Sequence, residues 1–205
     1  MNHSDIDQRK QAFIFELDDV IYPEKDFLFQ VYYLFASFLE YIELIDAKAA
    51  TDLMVNTYIA GEKDTVFDVV KEKFGIDEKY RINFHHLLLT VKLPLKLLVY
   101  KSVLDVMQEI VVDRKKLFIV TNGNPAQQLN KIKQTEWHGL EQYLICYFAD
   151  EVKPKPETDA IELLLTEHNL QRRDVIMIGK ADTDQQCAEA CGVDYLSVNE
   201  LVNLL

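Results

Sequence analysis

Ala12-Phe13-Ile14-Phe15-Glu16-Leu17-Asp18-Asp19 decides how the chain is read. Four apolar residues without a polar interruption suit a short strand buried on both faces, and the abrupt change to carboxylates suits its exit into a polar loop. Similar runs recur at 117–120, ending in Thr121-Asn122-Gly123, at 144–148, ending in Ala149-Asp150, at 175–178, ending in Gly179, and at 195–198. Helical patterns separate them: 125–134, 157–168 with Ile161, Leu164 and Leu165, and 183–191 closed by Gly192. Strands alternating with helices specify an α/β fold with a doubly wound parallel sheet, built through right-handed crossovers.

The stretch 23–92 reads differently. Phe27, Val31, Leu34, Phe35 and Phe38 recur at helical spacing, and 51–58, 65–74 and 80–92 also read as helices, with Gly61 and Gly75 at C-terminal ends. The expected organisation is an α/β core domain from 1–22 and 93–205, with an all-helical insertion at 23–92. The aromatic series Phe27, Phe29, Tyr32, Tyr33, Phe35 and Phe38 is expected to form the core of that insertion. A further helix is expected after Pro94, running through Tyr100, Leu104, Met107 and Ile110.

The chain has 205 residues, 49% of them hydrophobic, enough for a core without disulfide staples. Its formal charge of −12 repels phosphate backbones, which argues against a nucleic-acid partner. No run of about eighteen apolar residues occurs, so no membrane span is expected. The polar opening and the three cysteines, Cys146, Cys187 and Cys191, are read as a cytoplasmic protein with reduced thiols.

In an open parallel sheet, ligands bind beyond the carboxyl ends of the strands. The residues placed there are Glu16, Asp18 and Asp19, then Thr121 and Asn122, then Lys153 and Lys155, then Lys180, Asp182 and Asp184. Carboxylates, a hydroxyl and lysines on one rim suit a phosphate-handling cleft. Asn122 and Lys153 are candidates for contact with substrate. His85 and His86 are adjacent on a helix and point to different sides, which does not suit a shared metal.

Four of these strand-end segments resemble the motifs of haloacid dehalogenase-like (HAD) hydrolases, in family order. Phe15-Glu16-Leu17-Asp18-Asp19-Val20 is similar to the first motif, a hydrophobic run followed by Asp-x-Asp-x-Thr. Ile119-Val120-Thr121-Asn122 is similar to the second. Lys153-Pro154-Lys155-Pro156 resembles the third, and Gly179-Lys180-Ala181-Asp182-Thr183-Asp184 resembles the fourth, Gly-Asp-x-x-x-Asp. The resemblance implies that the insertion is the helical cap of the phosphatase-like subfamily. It also implies covalent catalysis through a phosphoaspartate, with Mg²⁺ held by acidic residues. Position by position, Glu16 falls on the nucleophile, Asp18 on the general acid/base and Thr121 on the phosphoryl-oxygen donor. Lys155 is the motif-three lysine, with Lys153 the alternative, and Asp184 is a metal-binding acid.

Two departures from the motifs bear on activity. Glu16 stands where the family has Asp, and its extra methylene moves the carboxylate by roughly an ångström, a misplacement that can cost about a hundredfold in rate. Lys180 stands where the family has a metal-binding Asp, so a cation replaces a ligand. The expected arrangement is a Glu16–Lys180 ion pair in the metal's place. Val20 replaces a Thr of nearly the same shape. These substitutions imply a hydrolase-like protein with impaired catalysis that retains binding of phosphate or of a small phosphorylated metabolite. The alternative is an active phosphatase using Glu16 or an altered metal site. A metal-free dehalogenase also requires an Asp nucleophile.

Overall fold

The computed structural model describes residues 9–202. A five-stranded parallel sheet is built from β1 (Ala12–Phe15), β3 (Lys116–Thr121), β5 (Leu144–Phe148), β6 (Val175–Gly179) and β7 (Asp194–Ser197), in the order β5-β3-β1-β6-β7. Two short strands, β2 (Leu97–Leu98) and β4 (Thr135–Glu136), pair separately in parallel. The sheet is doubly wound. From β1 the chain moves outward to β3 and β5, then returns past β1 to β6 and β7, so β1 lies at the topological switch point.

Every residue of β1 is fully buried. Ala12, Ile14, Phe118, Val120, Val175 and Met177 join a core cluster with Ile161, Leu164 and Leu165 of α7 (Asp159–Glu167) and with Cys187, Ala188 and Cys191 of α8 (Asp182–Cys191). The alternate strand residues Phe13, Phe15, Leu117, Ile119 and Ile178 are buried as well. Burial of both faces is why these strands read as unbroken apolar runs. All three thiols are free; those of Cys187 and Cys191 are buried in this core.

The helix expected after Pro94 forms, with Leu104, Met107 and Ile110 buried, but it starts later and leaves Tyr100 outside. Leu97 and Leu98 extend to pair with Thr135 and Glu136, and α5 (Lys101–Val112) begins later. The Tyr100 N–H donates to the Ile21 carbonyl at 2.8 Å. That bond fixes Tyr100 as the extended residue ahead of the helix. The α6 helix (Pro125–Gln134) opens on Asn124, whose side-chain oxygen accepts from the Ala126 N–H. A short α9 (Val198–Val202) follows β7.

The chain divides into two compact units, one running to Pro23 and resuming at Leu97, the other spanning Glu24–Lys96. The second unit contains α1 (Glu24–Glu43), α2 (Ala47–Ile59), α3 (Val66–Phe74) and α4 (Tyr80–Thr90), with one 3-10 turn at Lys63–Thr65. Its core is aromatic. The Phe35 ring lies 5.0 Å from Phe84 and 6.0 Å from Phe67, and Phe29 meets Tyr58 edge-on at 5.4 Å. The Asp46 side chain caps α2 through the Ala49 N–H. Tyr33 of the aromatic series faces solvent. Among the described residues no helix is long and apolar enough to cross a membrane.

Phe35 has no exposed surface and sits among three other aromatic rings. Phe35→Ala is expected to lower stability by about 3–5 kcal/mol, read as a shift in urea midpoint with little change in its slope.

Candidate active site

Parallel pairing sets the site. Phe15 lies beside Ile119 and Ile178, and the Glu16 N–H donates to the Ile178 carbonyl at 3.1 Å. The chain therefore brings Glu16 to the end of the sheet between Thr121 and Gly179. Beyond it, Asp19 takes a left-handed backbone (φ 60), a conformation an Asp tolerates better than most side chains. The turn is closed by the Asp19 N–H on the Tyr22 carbonyl at 2.8 Å. It returns the chain so that the Tyr22 hydroxyl reaches Asp18 Oδ1, also at 2.8 Å.

Three carboxylates and two ammonium groups form the centre. Thr121 Oγ1 donates to Glu16 Oε1 at 2.5 Å, and Lys155 Nζ pairs with Glu16 Oε2. The same Nζ bonds Asp184 Oδ1 at 2.7 Å and the Val120 carbonyl at 3.0 Å. Asp184 Oδ2 accepts from the backbone N–H groups of Lys180 and Ala181, each at 3.0 Å, and so caps α8 from within its first turn. Asp18 Oδ2 accepts from Lys131 Nζ at 2.6 Å and from Gln128 Nε2 at 3.0 Å. Gln128 Nε2 also donates to Thr121 Oγ1 at 2.7 Å. Hydrogen bonds thus link Asp18 through Gln128 and Thr121 to Glu16, and through Lys155 to Asp184.

Burial alone would raise the Asp18 carboxyl. The Lys131 ammonium, with hydrogen bonds from Lys131, Gln128 and Tyr22, outweighs it and holds Asp18 below the ordinary carboxylate value of 3.8. Burial pushes the Lys155 ammonium down from its ordinary value, and the charge of Asp184 opposes that shift.

Of the expected site residues, Glu16, Thr121, Lys155 and Asp184 form one contact set, and Asp18 joins it through Gln128. Asn122 instead holds the backbone of Lys155. Its amide donates to the Lys155 carbonyl and accepts from the Lys155 N–H, both at 2.9 Å, which positions the lysine. Lys153 is exposed and pairs with Asp159 at 3.1 Å. The expected Glu16–Lys180 pair is not formed. Lys180 Nζ reaches Asp19 Oδ2 at 3.1 Å, while Lys155 takes Glu16. The left-handed turn at Asp19 presents its carboxylate near Lys180, and the buried Lys155 already fills the space beside Glu16. Gln128, Lys131 and Tyr22 were not expected. Gln128 and Lys131 lie three apart on the helix that follows Thr121, a spacing that puts both on one face.

Mg²⁺ requires oxygen ligands with free lone pairs in near-octahedral array. Here the oxygens of Glu16, Asp18 and Asp184 are engaged by Thr121, two lysines, Gln128, Tyr22 and backbone N–H groups. Among the described residues, no group of three His, Cys, Asp or Glu is arranged to hold a metal ion. The donor set as it stands does not fit Mg²⁺.

The sequence pattern of the haloacid dehalogenase-like hydrolases matches residues 13–198. No curated protein matches the chain. Several solved structures share its fold. A protein assigned as a β-phosphoglucomutase from Thermotoga maritima is 17% identical, with a TM-score of 0.67 over 95% of this chain and 97% of that one. A hydrolase from Streptococcus pneumoniae is 15% identical, with a TM-score of 0.56 over 96% and 98%. A Bacillus subtilis HAD-type hydrolase bound to magnesium is 16% identical, with a TM-score of 0.58 over 92% and 86%.

Two outcomes follow from this geometry. A Cβ added at Gly179 would lie 2.5 Å from Asp184 Cβ, on a segment fixed by two backbone bonds. Gly179→Ala is expected to cost at least about 2 kcal/mol in urea unfolding, because α8 must shift. Asp18 carries a depressed folded-state value, so it contributes stability that is fully present above 3.8 and is lost as pH falls through the lower folded value. Asp18→Asn is expected to flatten the stability–pH curve below that point, and an unchanged acid limb would contradict the assignment.

Proposed function

The chain belongs to the haloacid dehalogenase-like hydrolase family, and we propose that it is a member with impaired phosphoryl-transfer catalysis. One observation carries this reading: Asp18, at the general acid/base position, is an acceptor in an ion pair with Lys131 at 2.6 Å, with Tyr22 and Gln128 as further donors. A general acid must hold a proton at working pH and give it up in the transition state. A carboxylate surrounded by three donors, one of them cationic, stays ionised and has no proton to give.

The nucleophile position supports the same reading. Glu16 has one oxygen on Thr121 and the other on Lys155, and its chain is one methylene longer than that of the family's Asp. Family members generally use Mg²⁺, and at the position of one acidic ligand this chain has Lys180, turned to Asp19. The cap role of the helical unit, and the binding of a small phosphorylated metabolite without turnover, belong to the same proposal. Thr121 and Lys155, the residues the family uses for phosphoryl oxygens, support the second point. The alternative is an active phosphatase. It is favoured by the same retained group, because Thr121 and Lys155 both address the carboxylate at the nucleophile position.

Hydrolysis of 4-nitrophenyl phosphate, with and without Mg²⁺, decides between them. The native protein is expected to turn over about 10²–10⁴-fold more slowly than a family enzyme with a working acid. Glu16→Asp combined with Lys180→Asp and Lys131→Met is expected to raise Mg²⁺-dependent turnover. Brisk native turnover abolished by Asp18→Asn would establish the active phosphatase instead.

A further inference from the structure

The buried residues of α6 are Gln128 and Lys131, whereas Leu129 of the same helix is 40% exposed. This inverts the ordinary pattern, in which a helix turns its apolar stripe inward. Burying an ammonium is costly even after relaxation, so the inward lysine needs close compensation. It finds that in Asp18. The side chain of Lys131 is 3% exposed, and Nζ lies 2.6 Å from Oδ2. Gln128, one turn earlier, bonds both Asp18 and Thr121 and fixes the distance between them.

We infer that Lys131 is a built-in cation that takes the place of a divalent ion at this carboxylate cluster, where Gln128 holds Asp18 in position for it. With Lys155 it leaves Glu16, Asp18 and Asp184 only one formal charge short of neutrality. The cluster is therefore electrostatically satisfied without a metal. Lys180, the cation expected from sequence to do this, is half-exposed on Asp19 and does not perform that role. A divalent ion seeking Asp18 must displace a buried ammonium and break a charge-assisted hydrogen bond. This inference rests on the impaired-hydrolase reading, but it concerns metal affinity and not turnover.

The test is Mn²⁺ binding by the full chain, followed by calorimetry and by the Mn²⁺ electron paramagnetic resonance signal. Four proteins are compared: native, Lys180→Asp, the double variant Lys180→Asp/Lys131→Met, and an Asp18→Asn control. Native protein and Lys180→Asp are expected to bind no more tightly than the control. The double variant is expected to bind at least about tenfold more tightly than Lys180→Asp. If methionine prevents folding, Lys131→Gln in the same background removes the charge while keeping a donor for Asp18. Two results overturn the inference: Mn²⁺ bound by the native protein more tightly than by the control, or no gain in affinity of a folded double variant over Lys180→Asp. Brisk phosphatase turnover without Mn²⁺ affinity would sink the impaired-hydrolase reading and leave Lys131 in its role. A silent native protein that binds Mn²⁺ would do the reverse.

Discussion

Two buried ammonium groups hold the end of the sheet together. Lys155 joins Glu16 of the β1 exit to Asp184 of α8, and Lys131 joins α6 to Asp18. Remove either, and carboxylates remain in a poorly solvated space without their counter-charge, which in buried pairs costs about 3–5 kcal/mol. Other features follow from this constraint. Gly179 has no side chain because Asp184 must pass close to it. Asn122 grips the Lys155 backbone on both sides so that the amine arrives between the strands. Asp19 adopts a left-handed turn so that Tyr22 can return to Asp18.

On the reading proposed here, the same groups that complete the structure limit its chemistry. Nucleophilic attack needs a carboxylate lone pair directed at phosphorus, and acid catalysis needs a proton on the neighbouring carboxyl. In this chain both carboxylates are spent on internal cations and hydrogen bonds. Phosphoryl transfer draws most of its acceleration from positioning and from cations aimed at the transferred group. In the proposed reading, cations aimed instead at the chain's own carboxylates do not contribute in that way. Family membership gives the fold and the placement of the site, while the individual contacts decide what the site can do.

Much of the fold was legible because strands covered on both faces leave uninterrupted apolar runs, as at Ala12–Phe15 and at 175–178. The α6 range was legible as a helical pattern over 125–134. The strands Leu97–Leu98 and Thr135–Glu136 were not, since two residues carry no periodicity and their pairing is non-local. At the site, residues at strand ends could be placed by topology alone, which brought Glu16, Thr121, Lys155 and Asp184 into view. Lys131 was hidden because a lysine on a polar helix is ordinarily read as solvent-facing. Its pairing with Gln128 one turn away was the available signal. The partner of Glu16 was misplaced for a related reason: strand order brings Lys155 and Lys180 to the same rim, but only side-chain packing decides which one turns inward.

The most direct measurement is a high-resolution crystal structure of the native protein grown in a large excess of MgCl₂. The account predicts Lys131 Nζ still hydrogen-bonded to Asp18, with no ion between the carboxylates. A hydrated Mg²⁺ seated on Asp18, with Lys131 swung away, would contradict it.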